Sequence, residues 1–255
     1  MRFMLSRRWV LFALAVAVLA YGCWWLGEWQ FHRLEDRKES NAVTEHNIVA
    51  DPQPVEDVLA VGEPVGSDEE WLRVRARGEY DDSQTVIVRY QTRDGASGVD
   101  VVTPLRLQDS GRLLLVDRGW VATENRGDAS PDVPAPPTGT VDVVGWVRAD
   151  ATGDSTAVDH GSTRAISSAT IGPTLDGEVL TGFVDLVSEQ PEAARPLTLT
   201  ETPDLGNGPH FFYGLQWWFF AALAVFGFGY LAFDERRKLR SAAAAKDDAP
   251  EPVRR

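Results

Sequence analysis

The chain has little of what metal sites and cross-linked folds need. Its only cysteine is Cys23, so it has neither a disulfide framework nor a cysteine metal cluster. The histidines are scattered and have no acidic or cysteine partner at the spacing of a zinc site. They are His32, His46, His160 and His210. Neither the glycine-rich motifs that bind nucleotides nor the Gly-x-Ser-x-Gly elbow of hydrolases occurs. The sequence therefore predicts that the protein is not an enzyme.

Lysine is missing from the whole middle of the chain. Between Glu39 and Pro209 there are 30 acidic residues and 12 arginines, which gives a local net charge of −18. The net charge of −13 for the complete chain therefore describes this middle part. Such an acidic surface would repel phosphates, so nucleic acid is excluded as a partner.

A transmembrane helix is predicted over 207–233. The last 23 residues of this segment carry no charge. As a helix they would span about 35 Å, against about 30 Å for the hydrocarbon core of a bilayer.

A second charge-free run, Trp9 to Gly27, is 19 residues long and has two interpretations. A signal peptide has a shorter apolar region that ends at small residues, whereas this run continues through the bulky Trp24 and Trp25. The small residues before Cys23 are similar to a lipoprotein processing site, but the aromatic neighbours do not suit one. We therefore expect a retained transmembrane helix over 9–29.

Basic residues flank the outer limits of both predicted helices. Arg7 and Arg8 precede the first, and Arg236 and Arg237 follow the second. By the positive-inside rule both termini are cytoplasmic, and the segment between the helices lies on the far side of the membrane. The predicted parts are a cytoplasmic N-terminus (1–8), the first transmembrane helix (9–29), an interfacial helix and connector (30–70), an extracytoplasmic β domain (71–206), the second transmembrane helix (207–233) and a cytoplasmic tail, basic and then disordered (234–255).

The β domain is predicted from alternating patterns rich in β-branched and aromatic residues. The strand candidates are 71–80, 85–90, 99–107, 112–121 and 140–147, with edge strands at 183–187 and 197–200. Short links between successive strands favour a mainly antiparallel domain, either a small barrel or a sandwich. Segments 127–139 and 150–164 are predicted loops, and Trp120 is expected to anchor the core.

The start of the second helix holds the candidate site. Asn207 and Gly208 can cap the helix and Pro209 suits its first turn, which places His210 where the helix dipole is positive. That position disfavours the imidazolium form, and a neutral imidazole is what a metal needs.

Aromatic residues could complete a site for a flat cofactor such as a haem. Tyr213 and Trp217 would flank the ligand, and Gly214 would leave space beside the His210 ring. The alternative is an interfacial histidine that forms hydrogen bonds with headgroups or with the β domain.

After the first helix, Trp29, Arg33 and Arg37 share a helical face. They form either an interfacial anchor, with arginines that reach toward the headgroups, or a site where Arg33 or Arg37 meets the carboxylates of a ligand. The neighbouring His32 is expected to be a solvated histidine.

The motifs taken together resemble the Surfeit locus protein 1 family, membrane assembly factors for haem-copper cytochrome c oxidase. Gly27, Trp29, Gln30 and Arg33 are similar to the family's Gly-x-Trp-Gln-x-x-Arg element. At the second helix, the family's Asn-x-x-His-x-x-Tyr-x-x-Gln-Trp pattern is matched by Asn207, His210, Tyr213, Gln216 and Trp217. Further similar segments in the β domain are 78–80, 103–105, 116–121 and 145–148. Ala122 departs from the family's usual proline, and Gly214 from its usual alanine.

The resemblance implies a protein of a bacterial plasma membrane that helps to insert haem a into the oxidase catalytic subunit, or to stabilise that subunit. It implies His210 as a proposed haem ligand. Together with the residue patterns above, this makes Tyr213, Trp217, Arg33 and Trp29 the candidate residues around the cofactor, and haem a synthase is a further candidate partner. The alternative is a scaffold that holds oxidase subunits and never binds haem.

Overall fold

A computed structural model describes residues 2–123 and 131–247. Within these residues the α-helices are α1 (Arg7–Val49), α2 (Ser168–Ile171) and α3 (His210–Asp247). The strands are β1 (Gln53–Pro54), β2 (Arg73–Tyr80), β3 (Val86–Arg93), β4 (Ala96–Leu107), β5 (Leu113–Ala122), β6 (Thr140–Arg148), β7 (Ser162–Thr163) and β8 (Phe183–Gln190). Internal contacts divide the chain into two compact units, Met1–Ser40 with Gly206–Arg255, and Asn41–Leu205.

The first unit is built from α1 and α3. Both helices are long and apolar enough to cross a membrane, judged by length and composition. α1 continues without a break to Val49, well past the predicted transmembrane segment. α3 continues to Asp247, so the prediction that the tail is disordered from Ser241 is wrong for 241–247, where a run of alanines favours helix. The end of the tail, 248–255, lies outside the described residues.

The second unit contains a closed five-stranded barrel. Its strands follow one another in the order β2, β6, β8, β5 and β4, and β4 pairs again with β2. The long pairings are antiparallel, whereas the β5–β8 pairing is parallel. β3 extends the sheet from β4, and the two-residue strands β1 and β7 pair in parallel with β2 and β3. The prediction of a mainly antiparallel β domain is confirmed, and of the two predicted architectures the structure has the small barrel and not the sandwich.

Gly78 allows the barrel to close. It pairs with Leu107 where β2 meets β4, and a Cβ atom at this position would overlap the main chain of Arg106. Only glycine permits the two backbones to approach so closely.

The strand predictions agree with the structure except at two places. The predicted edge strand 183–187 is part of β8, which lies between β6 and β5 and is therefore not at an edge. Residues 197–200 form no strand, although Thr198 exchanges two main-chain hydrogen bonds with Trp120. Residues 131–139 of the predicted loop 127–139 have no strand or helix, and 124–130 lie outside the described residues. The predicted loop 150–164 contains β7 and a 3-10 turn, Asp154–Thr156.

Trp120 does not anchor the core, so that prediction is wrong. Trp120 is only partly buried and its indole ring lies over Gly98 of the neighbouring strand. Gly119, with a φ of 121°, interrupts the alternation of side chains along β5 just before Trp120. The core consists instead of aliphatic side chains on both faces of β4 and β5. Inside the barrel lie Leu105, Leu114, Val116, Val141 and Val147, and a second cluster contains Val88, Val102, Leu115, Ile171 and Phe183.

Two buried carboxyl groups, Asp117 and Asp185, lie in the wall of the barrel, and Asp100 beside them is partly buried. Asp117 is 4% exposed and accepts a hydrogen bond from the main-chain N–H of Gly119 at 3.0 Å. Burial raises the pKa of Asp117 well above its ordinary value, and the nearby Asp100 and Asp185 raise it further. Burial also raises the pKa of Asp100 and of Asp185, although each has an arginine partner that lowers it. At these three carboxyl groups the folded barrel therefore binds protons more tightly than the unfolded chain does.

We expect the barrel to lose stability as the pH rises above about 4. Carboxyl groups with a raised folded-state pKa stabilise the fold fully below their unfolded pKa, and this contribution disappears as the pH passes the folded value. Asp117→Asn should flatten the dependence of the melting temperature on pH above about 4, since it removes the group that ionises. Asp142→Asn is the matched control, because Asp142 is exposed on β6. Equal slopes of melting temperature against pH in the two variants would contradict the assignment of this pH dependence to Asp117.

Candidate functional site

His210 is the first residue of α3. The carbonyl group of Pro209 accepts a hydrogen bond from the main-chain N–H of Tyr213 at 3.1 Å, so Pro209 closes the first turn. Gly208 has a φ of 63° and turns the chain into the helix. The helix cap is therefore Pro209, not Asn207 as the sequence suggested. His210 lies at the end of the helix where the dipole is positive, as expected.

The imidazole ring of His210 is held by Gln30 of α1. The distance between Nδ1 of His210 and Oε1 of Gln30 is 2.8 Å. The amide oxygen only accepts hydrogen bonds, so in this arrangement Nδ1 carries the proton. In the neutral ring this leaves the lone pair on Nε2, the tautomer that can bind a metal through Nε2. In metal-binding histidines generally, a hydrogen bond from the other ring nitrogen orients the ring in this way.

Glycine–aromatic pairs bring α1 and α3 together beside this hydrogen bond. Gly27 of α1 lies against Trp218, and Gly214 of α3 lies against Phe31, whose ring carbons would be 2.8 Å from an added Cβ. The rings of Phe31 and Trp218 are also in contact, with centroids 4.8 Å apart. Phe31 thus occupies the face of Gly214 that the sequence suggested would be open.

A small residue alone does not mark the helix contact. Gly227 of α3 has nothing within 4 Å of an added Cβ. Close helix approach requires a small residue opposite a large one, and that condition is met at Gly27 and Gly214.

The two arginines of α1 have different surroundings. Arg33 is exposed, with its guanidinium group 5.7 Å from the ring centre of Trp29 and 3.9 Å from the carboxylate of Asp36. Arg37 donates a hydrogen bond from Nε to the carbonyl oxygen of Gly206 at 2.6 Å. Arg37 therefore fixes the segment that leads into His210, whereas Arg33 keeps donors exposed to solvent.

Tyr213 and Trp217 share the helical face of His210 by their spacing of three and seven residues. Tyr213 is 48% exposed, and the ring of Trp217 packs edge-on against Phe220 at 6.0 Å. His210 could therefore offer an imidazole ligand, and the exposed Tyr213 and partly exposed Trp217 on the same helical face could offer aromatic walls to a flat cofactor.

No group of three or more His, Cys, Asp or Glu side chains able to hold a metal ion occurs in the part of the chain that the structure describes. A metal at His210 would therefore have to bring most of its ligands with it, as a porphyrin does.

Sequence analysis missed Gln30 and Arg37 as partners of this helix start. Gln30 was recognised only as part of a motif, since 180 residues separate it from His210. No local pattern reveals that pairing.

Comparisons with known proteins show the family to which the chain belongs. The model of the SURF1 family matches residues 17–222. The chain is 27% identical over 257 residues to an uncharacterized SURF1-like protein of Mycobacterium tuberculosis, covering 98% of this chain and 93% of the relative. It is 30% identical over 154 residues to Surfeit locus protein 1 of Mus musculus, covering 54% of this chain and 47% of the relative. It is also 26% identical over 100 residues to the cytochrome oxidase assembly protein SHY1 of Saccharomyces cerevisiae, covering 39% and 25%. The matched segment contains both Gln30 and His210, and the chain belongs to the SURF1 family.

Proposed function

We propose that this protein assists the assembly of cytochrome oxidase in a bacterial membrane, without being an enzyme. The observation that carries the proposal is the His210–Gln30 pair, which joins two motifs of the SURF1 family at the start of an apolar helix. The yeast relative is named for cytochrome oxidase assembly, and relatives that match nearly the whole chain are bacterial. The partners on this proposal are subunits of the oxidase, above all its catalytic subunit.

Both long helices are proposed to cross the membrane, with both termini in the cytoplasm and the barrel outside. Their apolar side chains support this, because Leu14, Val18, Phe219 and Phe226 are all more than half exposed. Such exposure is costly in water and favourable in lipid. The basic residues beyond each apolar stretch set the orientation.

The orientation can be tested with reporters. A reporter that is active only in the cytoplasm should work when fused after Arg255 and fail when inserted at Ser110, an exposed residue between β4 and β5. Loop tips of this kind tolerate insertions. A reporter active only outside should give the opposite result at both positions. Cytoplasmic activity at Ser110 would contradict the proposed topology.

The finer proposal is that the protein holds haem a in transit to the catalytic subunit. Nε2 of His210 would bind the iron and Gln30 would orient the ring. Tyr213, Trp217 and Trp29 would contact the macrocycle, and Arg33 would pair with a propionate, for which its free donors are suited. Haem a synthase is the proposed source of the cofactor.

A second candidate is a scaffold that holds oxidase subunits and does not bind haem. The acidic barrel favours this alternative, because a region with a net charge of −18 suits docking to a basic surface. The haem content of the purified protein, produced in cells that make haem a, distinguishes the two candidates.

Deletion of the gene tests the role in oxidase assembly that both proposals share. We expect assembled oxidase to fall while total haem a remains, because the residues around His210 offer no nucleophile or base for making the cofactor. Oxidase-bound and total haem a should be measured separately by spectroscopy and extraction, with the wild-type gene restored as the control. Accumulation of haem precursors would indicate an enzyme of haem synthesis instead.

A further inference from the structure

A small cavity opens in the barrel unit beside the end of β8. Its volume is about 200 Å³, and we call it the β8 pocket. One wall is β8 from Leu186 to Glu189, and the other is the segment 192–199, which returns from β8 to the edge of β5. β5 and β8 pair only at Val116–Val184 and Asp117–Asp185, and further along Thr198 takes the place of β8 beside Trp120. The strands thus separate at Arg118, and the pocket lies at that point.

Arg118 supplies a buried donor to this pocket. The residue is 2% exposed, and its guanidinium group lies 5.5 Å from the ring centre of Tyr80. Nη1 donates to the carbonyl oxygen of Pro134 at 3.1 Å, but the buried Nε has no hydrogen-bond partner among the residues that the structure describes. A buried donor without a partner is costly, so an arriving acceptor would bind favourably here.

Glu189 supplies an acceptor to the same pocket. It is 8% exposed, and its Oε2 accepts a hydrogen bond from the hydroxyl group of Tyr80 at 2.9 Å. Arg118 and Glu189 both line the pocket, and their hydrogen bonds among the described residues run to Pro134 and Tyr80 and not to each other. The pocket therefore offers a donor and an acceptor to a ligand, between walls that include Leu186, Leu197 and Leu199.

We propose that the β8 pocket binds the main chain of an extended segment of a partner polypeptide, with one aliphatic side chain against the leucines. A peptide group offers a carbonyl oxygen to Nε of Arg118 and an N–H to the carboxylate of Glu189. The peptide group is neutral and carries both a donor and an acceptor, which suits the pocket. A free carboxylate would be repelled by the negative charges of Glu189 and Glu192. A cation would be repelled by the positive charge of Arg118. The proposal does not depend on His210 or on haem.

The test uses the full chain in detergent, with leucine and valine methyl groups labelled for NMR. The probe is N-acetyl-leucinamide, which has two amide groups, one aliphatic side chain and no charge. We expect saturable shifts of the methyl signals of Leu186, Leu197 and Leu199, with a Kd on the order of millimolar, as suits so small a ligand. N-acetyl-leucine, with a carboxylate, and leucinamide, with an ammonium group, should each bind at least fivefold more weakly.

Two variants test the assignment. Arg118→Lys keeps the charge but removes the Nε donor, and Leu199→Ala shortens a partly exposed wall residue without touching the buried core. Each should raise the Kd of N-acetyl-leucinamide at least threefold, while the control Val61→Ala, at an exposed valine outside the pocket, should not. Should Arg118→Lys fail to fold, Leu199→Ala alone decides. Absent shifts, equal binding of the carboxylate probe, or shifts unaffected by Leu199→Ala would each overturn the proposal.

Discussion

Arg148→Met should destabilise the barrel by about 3 to 5 kcal/mol, the cost of leaving a buried charge without its partner. Nη1 of Arg148 donates to the carboxylate of Asp185 at 2.7 Å, and Asp185 is only 2% exposed. The same guanidinium group lies 4.0 Å from the ring centre of Trp71. Trp71 has a φ of 64°, a strained backbone conformation for a bulky residue, so the substitution also removes a contact that holds it.

The melting temperature of the Arg148→Met variant should fall by roughly 10 °C at neutral pH, given the size of the domain. Arg148 lowers the pKa of Asp185, so its loss raises that pKa further and makes the variant still less stable as the pH rises. Adding Asp185→Asn should restore much of the loss, because it removes the charge that was left unpaired. Arg77→Met is the matched control, since the Arg77–Asp142 pair lies on the same barrel and is exposed. Exposed pairs contribute about 1 kcal/mol or less. A similar loss of stability in the Arg148→Met and Arg77→Met variants would show that the Arg148–Asp185 pair contributes no more than an exposed pair.

The barrel was predictable from the sequence because its strands alternate and their links are short. Its closure was not, since β2 joins β4 through Gly78 and Leu107, a contact that depends on the whole sheet. The parallel β5–β8 pairing was not predicted either, since residues 183–187 were expected to form an edge strand, whereas β8 lies between β6 and β5. The misplacement of Trp120 has a local cause, the positive φ of Gly119. A large aromatic residue in a strand pattern predicts burial only where the alternation of side chains is regular.

Only part of the candidate site was predictable from the sequence, because local patterns do not show which distant residues meet. The capping pattern placed His210 at the start of a helix, and the structure agrees. The partner that orients its ring, Gln30, and the packing of Gly27 against Trp218 depend on how two distant helices meet. Spacing within one helix gives the face of a residue but not the neighbour opposite it.

His210→Ala should abolish the haem absorption of the purified protein if Nε2 ligates the iron. His210→Met provides a ligand of a different kind and should retain haem with an altered spectrum. Gln30→Leu should weaken haem retention about 10- to 100-fold, as is usual when the residue that orients a metal-binding histidine is removed. Arg33→Ala should lower the haem content without changing the shape of the spectrum, because it removes a propionate partner and not the iron ligand.

His32→Ala is the control for His210→Ala, because His32 is an exposed histidine of α1 and has no place in the proposed site. Both variants should be produced in cells able to make haem a, and the haem per protein compared with the wild type. A histidine that only forms an interfacial hydrogen bond would behave differently. In that case His210→Ala should cost about 1 kcal/mol of stability and leave haem content and spectrum as they are. Unchanged haem content together with normal oxidase activity in the His210→Ala strain would remove haem from this site and leave the scaffold as the function.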